Sequence, residues 1–171
     1  MVIRKESADD IDKIHALTVE AFRSAPHSDG REPQIIDALR NSGELTLSLV
    51  AETDDILLGH VAFSPVTIRG DEQSISDGSW YGLGPIAVRA DRRRQRIAQK
   101  LIAEGLEQLQ DKGANGVVLL GDPAIYKSSG FESDGLLRYG NIDTRFIQRI
   151  IFKGTAPSGE VIYADAFTSA I

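Results

Sequence analysis

The stretch Leu83-Gly84-Pro85-Ile86-Ala87-Val88-Arg89-Ala90-Asp91-Arg92-Arg93-Arg94-Gln95-Arg96-Ile97-Ala98 changes its period halfway along. The apolar run Leu83 to Val88 reads as a strand. From Ile97 onward, Ile97, Ala98, Leu101, Ile102, Leu106 and Leu109 recur at helical spacing, while Gln99, Lys100, Glu104, Glu107, Gln108 and Asp111 take the other side. This predicts a helix from Ile97 to Lys112, stopped by Gly113 as a residue free to adopt positive φ. A second apolar run, Gly116 to Leu120, follows, so the unit is strand, turn, helix, strand. A helix start exposes N–H groups without intrahelical partners and carries partial positive charge. Here Arg92, Arg93, Arg94 and Arg96 add to that charge, an unfavourable arrangement unless an anion binds. The turn therefore suits a polyanion.

Outward from this unit, Val2 to Lys5 reads as a short strand leading to Ser7, a helix cap with Asp10 three residues on. Ile11, Ile14, Leu17, Ala21 and Phe22 then mark one helix face, and Ser24 to Arg31 reads as a loop. Ile35, Ile36 and Leu39 predict a second helix over Glu32 to Arg40, ending near Gly43. Leu45 to Glu52 and Ile56 to Arg69 read as consecutive strands around the turn Thr53-Asp54-Asp55, with Gly59 a bulge or close-approach point. Gly70 to Gly78 reads as a loop or hairpin end. Trp80, Tyr81, Tyr139 and Tyr163 read as strand packing.

Beyond the second apolar run, Asp122 is placed as an N-cap with Pro123 at the first helical position of a short helix that carries Tyr126 and ends at Gly130. Gly135 to Thr144 reads as irregular. Phe146 to Phe152 and Val161 to Phe167 read as a closing antiparallel pair around Pro157-Ser158-Gly159. The pattern as a whole is α/β (α+β): one domain over residues 1–171, with a mixed sheet and helices on its faces.

Composition narrows the function. A net charge of −6 and a pI near 5.1 argue against a broad nucleic-acid-binding face, because positive charge is confined to Arg89 to Lys100. The absence of cysteine excludes disulfides, zinc–thiolate sites and a cysteine nucleophile. No apolar run approaches the ~20 residues of a membrane span, and the charged N-terminus lacks a leader-like core, so a cytoplasmic protein without membrane partners is expected. His15, His27 and His60 lack metal-ligand spacing, and no metal is expected. Gly82-Leu83-Gly84-Pro85-Ile86-Ala87 matches a dinucleotide fingerprint only as a string, since Pro85 and the apolar run after it call for a strand where that fingerprint needs a helix. By spacing alone Tyr126 is an ordinary half-buried aromatic.

The segment LGPIAVRADRRRQRIAQKLIAEGLEQLQDKGANGVVLLGDPAIYKSSGF, Leu83 to Phe131, resembles the acetyl-CoA-binding core of the GNAT superfamily of N-acetyltransferases, in its YhbS-like branch. Arg93-Arg94-Gln95-Arg96-Ile97-Ala98 fits the pyrophosphate signature Gln/Arg-x-x-Gly-x-Gly/Ala at its first and last positions, with Arg96 where the family usually has glycine. The GPIAV strand, the GDP strand end, Tyr-x-x-x-Gly-Phe at Tyr126 to Phe131 and the run LSLVAETDDILLGHVAFSP extend the resemblance over nearly the whole chain.

The resemblance implies a mostly antiparallel central sheet flanked by helices and acetyl-CoA as cosubstrate. It implies that the pantetheine arm pairs with backbone groups of Ile86, Ala87 and Val88, and that the pyrophosphate sits on Arg93, Arg94, Gln95, Arg96, Ile97 and Ala98. Transfer is then direct, to an amine of a small molecule or a protein, and Tyr126 protonates the leaving thiolate. Attack needs a neutral amine, hence a base or a water chain. His27, Asp29 and Glu32 are the candidates, and the strand before the turn offers no carboxylate. A GNAT-like ligand-binding or interaction module without effective catalysis is the alternative, and a nucleic-acid module a third. The oligomeric state is not fixed by the chain, a homodimer being one option.

Overall fold

The computed structural model describes residues 1–70 and 79–169, so the segment expected as a loop between Gly70 and Gly78 lies almost wholly outside the described residues. The strands are β1 (Val2–Lys5), β2 (Leu47–Thr53), β3 (Ile56–Arg69), β4 (Trp80–Val88), β5 (Gly116–Leu120), β6 (Leu137–Arg138), β7 (Ile147–Ile151) and β8 (Gly159–Tyr163). The helices are α1 (Ile11–Phe22), α2 (Glu32–Ser42), α3 (Ile97–Asp111), α4 (Pro123–Tyr126) and α5 (Ala166–Ser169). The eight strands form a mostly antiparallel sheet in the order β1-β2-β3-β4-β5-β7, with β8 on β3 and β6 on β8. Two compact units divide the chain: Met1–Ser64 with Gly84–Gly105 and Ala164–Ile171, and Pro65–Leu83 with Leu106–Tyr163.

In the first unit, the Ser7 N–H donates to Asp10 Oδ2 (2.7 Å), which closes the cap expected there and leads through one 3₁₀ turn into α1. Arg4 fixes this corner by bidentate bonds to Asp10 and to Glu52 (2.6–3.0 Å), and its guanidinium holds the buried Asp10 carboxyl well below the usual range against the opposing effect of burial. α2 stops at Gly43, whose φ of 78° only glycine adopts without strain. β2 and β3 are joined through Asp54 and Asp55, both at positive φ (52° and 62°), as a two-residue hairpin turn requires. Ile14, Leu17, Ala21 and Ile36 of α1 and α2 pack on Val50, Leu57 and Ala87. The opposite sheet face carries α3: a Cβ on Gly59 would lie 3.0 Å from Ile97 and from Leu101, and one on Gly105 would overlap the Phe63 ring. Gly59 is thus a close-approach point, beside a register shift at Ala51/Glu52.

A buried polar chain ties the same unit together. His60 Nε2 meets Ser48 Oγ (2.7 Å), Ser48 Oγ meets Glu6 Oε2 (2.6 Å), and Arg40 makes a bidentate bond to Glu6 (2.9 Å each). Arg40 also reaches Asp37, and Asp37 reaches His15. The carboxylate of Glu6 can only accept, so Ser48 gives it the hydroxyl hydrogen and must itself accept from His60 Nε2–H. His60 is therefore a neutral Nε2–H tautomer. Burial, outweighing the attraction of Glu6, pushes its pKa down to about 4.

In the second unit, β8 pairs with the end of β3 (Val66↔Tyr163), Trp80–Gly82 of β4 run parallel to β5, and β5 is antiparallel to β7. Val66, Ile68, Trp80, Val118, Leu137, Ile147 and Val161 form its core, and Tyr139 and Tyr163 meet edge to face at 5.4 Å. The sequence reading is corrected here. β7 and β8 are not a hairpin pair: β7 takes the free edge of β5, while β8 binds β3 and the short strand β6, which lies in the segment expected to be irregular. Gly159 permits this, because a Cβ there would collide with the backbone at Arg69. The run Val161 to Phe167 also breaks after Tyr163. Ala164, Ala166 and Phe167 instead cover Ile35 and Leu39 of α2, within the first unit.

Candidate functional site

The backbone of β4 has a bonded and an unbonded edge. Arg89 N–H donates to Leu58 O (2.9 Å), and a Cβ on Gly59 would sit 3.2 Å from Ala87 O, so Arg89 and Ala87 turn their polar groups to β3. Successive residues of a strand point their N–H and C=O groups to opposite edges, which directs those of Ile86 and Val88 the other way. The β5 ladder pairs Trp80 to Gly82 and none of these later residues. Of the three residues expected to meet a pantetheine arm, Ile86 and Val88 offer their edge, whereas Ala87 spends its own on β3.

The turn that follows is a cradle of N–H groups. Ala90–Arg92 form a 3₁₀ turn, Arg93 is extended (φ −65°, ψ 157°), and Arg94 and Arg96 take left-handed φ values of 65° and 61°. Left-handed residues in such alternation direct neighbouring N–H groups into one concavity that binds anions. The first intrahelical bond runs from Lys100 N–H to Arg96 O (3.0 Å), which leaves the N–H groups of Ile97 and Ala98 without intrahelical acceptors. Arg94, Gln95 and Arg96 are exposed around this point, with Ile97 buried beneath. The glycine expected by the family pattern at position 96 now has a physical reason: the backbone there is left-handed, and this chain makes that turn with an arginine.

Arg93 makes a tether that its position in an arginine run hides. Its Nη2 donates to Ala21 O (3.2 Å) and so ties the turn to the end of α1. Arg89 is engaged by Asp91 (2.9 and 3.0 Å), which holds the Asp91 carboxyl below its usual range. The loop candidates differ from one another. His27 is exposed, Asp29 is bound by Arg31 (2.7 Å), and Glu32 accepts from Ser28 Oγ (2.6 Å) while its other oxygen, Oε2, is buried with no partner among the described residues.

Tyr126 belongs to the second unit. Asp122 caps α4 by accepting from Ala124 N–H (2.9 Å), Pro123 occupies the first helical position, and Gly130 ends the helical stretch at φ 94°. The Tyr126 ring lies over Gly121, where a Cβ would collide with it, and meets Phe131 edge-on at 6.4 Å. Burial pushes its phenol pKa up, so the hydroxyl is a protonated donor at neutral pH. Among the described residues no cluster of His, Cys, Asp and Glu could hold a metal, and no helix is long and apolar enough to cross a membrane.

A strand with an open edge, an N–H cradle and a helix behind it are the groups that a phosphorylated, extended ligand would need. The family profile described as "Acetyltransferase (GNAT) domain" matches residues 2–133, and the chain belongs to this family of acyltransferases. It is 41% identical over 133 residues to the uncharacterized N-acetyltransferase YhbS of Escherichia coli K12, covering 77% of this chain and 74% of that protein. The crystal structure of a GNAT family acetyltransferase from Brucella melitensis in complex with acetyl-CoA is similar at 44% identity and TM-score 0.84, covering 97% of both chains. YhbS from E. coli in complex with CoA is similar at 35% identity and TM-score 0.84, over 98% of this chain and 91% of that one.

Proposed function

We propose that this chain is a single-domain, acetyl-CoA-dependent N-acetyltransferase that passes the acetyl group directly to an amine of a small molecule or a protein. The observation that carries the reading is the left-handed pair Arg94 and Arg96 at the start of α3, an anion cradle whose arginines face solvent. The relatives crystallised with acetyl-CoA and CoA support it. In this reading the N–H groups of Arg94 to Ala98 take the pyrophosphate, and the Ile86 and Val88 edge of β4 takes the pantetheine amides. A backbone N–H of the same strand polarises the thioester carbonyl.

The amine arrives as its ammonium, as a lysine-like group of pKa about 10.4 must at neutral pH, and releases one proton before its lone pair attacks. The C–N bond forms, the nitrogen gives its second proton to solvent, the C–S bond breaks, and the sulfur takes a proton from Tyr126, which solvent then restores. Ammonium plus acetyl thioester thus become N-acetyl amine, free thiol and one proton. No other cofactor or metal is required.

Calorimetry with acetyl-CoA, CoA and duplex DNA, followed by a thiol-release screen of amines, tests the proposal. Acetyl-CoA and CoA binding with turnover on an amine is expected, and Arg94→Glu should weaken CoA at least tenfold by placing a negative charge beside the phosphates. Unchanged CoA affinity in that variant would refute the pyrophosphate assignment. Tight CoA binding with no turnover on any amine would favour a ligand-binding module.

A further inference from the structure

Within the second unit, α4, the chain that follows it and the start of β7 enclose a cavity of ≈500 Å³ lined by Pro123, Lys127, Phe131, Glu132, Arg145 and Gln148, among others. Small-molecule sites span about 300–1,000 Å³ and are mostly apolar, as this lining is. The charges around it do not cancel. Glu132 is taken up by Arg149 (2.8 Å), which also holds Asp134 (3.0 Å). Arg145 reaches Asp143 only at 3.7 Å, beyond hydrogen-bond distance, and its guanidinium lies over the Phe146 ring at 4.5 Å. Among the described residues no ion pair includes the exposed Lys127. Two cationic side chains thus line the cavity without a close carboxylate of their own.

The same residues hold Tyr126. Pro123 opens the helix that carries it and Lys127 follows it directly. Phe131 meets its ring edge-on at 6.4 Å, and the buried Gln148 donates from Nε2 to the carbonyl of Gly121 (2.9 Å), the residue that the ring covers. We propose that this cavity is an effector site for a small carboxylic acid on an aryl or alkyl body, its carboxylate on Lys127 and Arg145, its hydrocarbon against Pro123 and Phe131, and that the occupant shifts the Tyr126 ring. A carboxylate gains charge-assisted hydrogen bonds from an ammonium and a guanidinium, and the apolar lining rewards a hydrocarbon body that a bare inorganic anion lacks. No lining residue belongs to β4 or to the arginine turn, the groups assigned to the cosubstrate. The site therefore stands apart from the transferase reading, which enters only in what a shifted Tyr126 does to turnover.

The test is calorimetry on the full chain at pH 7 in the presence of CoA, with 3-phenylpropanoate and its uncharged counterpart 3-phenylpropanamide as probes, joined to NMR of the four tyrosine rings. Tyr126→Phe assigns the Tyr126 signals. The acid should bind at least about tenfold tighter than the amide, the scale of a charged hydrogen bond. It should move the Tyr126 signals and leave those of Tyr139 and Tyr163, which pack with Val118 and Ile147, in place. Lys127→Gln and Arg145→Gln together, both at exposed positions, should abolish the preference, and Lys112→Gln, beyond α3, should preserve it. Equal binding of the two probes to the unaltered protein overturns the proposal, as does a preference that survives loss of both cations, or Tyr126 signals unmoved at saturation. The first comparison needs no variant. Turnover of acetyl-CoA without the acid preference refutes this site alone, whereas the acid preference in a protein that does not bind acetyl-CoA refutes the transferase reading alone.

Discussion

Arg96 holds a left-handed conformation (φ 61°) that costs a residue with a Cβ roughly 1–2 kcal/mol, of which the greater unfolded-state freedom of glycine cancels about 0.5–1. Arg96→Gly is therefore expected to raise stability by up to about 1.5 kcal/mol in urea denaturation. If the guanidinium is a phosphate ligand, the same change weakens CoA binding by about 1.5–3 kcal/mol, so stability and affinity move in opposite directions. A variant both more stable and tighter for CoA would show that the arginine only crowds the turn. Tyr126→Phe keeps the ring over Gly121 and removes only the proton donor. A fall in kcat of about 10²-fold with unchanged CoA affinity and melting temperature is expected, and full activity in a normally folded variant would end the general-acid assignment. His60 gives a pH signature. Its pKa falls from 6.5 to about 4 on folding, so between those values the unfolded chain binds the extra proton and stability drops as pH falls. The decline reaches about 1.4 kcal/mol per pH unit from this group, complete near pH 4 and absent above pH 6.5. Glu6 acts lower. Burial opposes its charge, but Arg40 and Ser48 outweigh burial and hold its pKa below 4.5, so its contribution is lost only in stronger acid. Urea curves of the unaltered protein and His60→Gln at pH 7, 5.5 and 4.5 separate the two. The glutamine retains a donor for Ser48, and an undiminished slope between pH 6.5 and 4 would rule His60 out as the source.

Among the elements, α3 shows how a helix interior can require its least helical residue. Gly105 sits in the buried stripe because the Phe63 ring occupies the space a Cβ would take. Gly105→Ala is expected to destabilise by about 1–3 kcal/mol despite the better helix propensity of alanine, and Phe63→Leu in the same chain should recover part of the loss in thermal melts. A neutral or stabilising Gly105→Ala would mean that β3 and α3 separate more easily than their packing indicates. The sequence carried this signal as an isolated glycine within a helical stripe, but periodicity cannot say what lies opposite. The same limit explains the other misses. The Ser7–Asp10 cap, the glycine stop at Gly43 and the proline start at Pro123 are local chemistry and were legible to within a residue or two. The partner of β8 was not, because an alternating run records which face is buried and not which strand it lies beside. At the site, the composition and place of the arginine turn were readable, and the family pattern pointed to its glycine-like bend at Arg96. The second left-handed residue, Arg94, and the tether from Arg93 to α1 have no signature in a run of identical side chains.

Over the whole molecule, a net charge of −6 is spread around a turn in which Arg92, Arg93, Arg94 and Arg96 follow one another closely. With a net charge of this sign, a long nucleic acid is expected to bind the turn less well than a compact polyphosphate, and in calorimetry rising salt should weaken CoA binding only modestly. Among the described residues, β3, β4 and α3 each contribute to both compact units. The edges of β4 set a clock for the protein's own amide protons. Ala87 and Arg89 point toward β3 and should exchange with deuterated solvent slowly, whereas Ile86 and Val88 should exchange fast in the free protein. A ligand that adds itself to that open edge slows only the fast pair, and the strand then reads out occupancy as protection at every second residue.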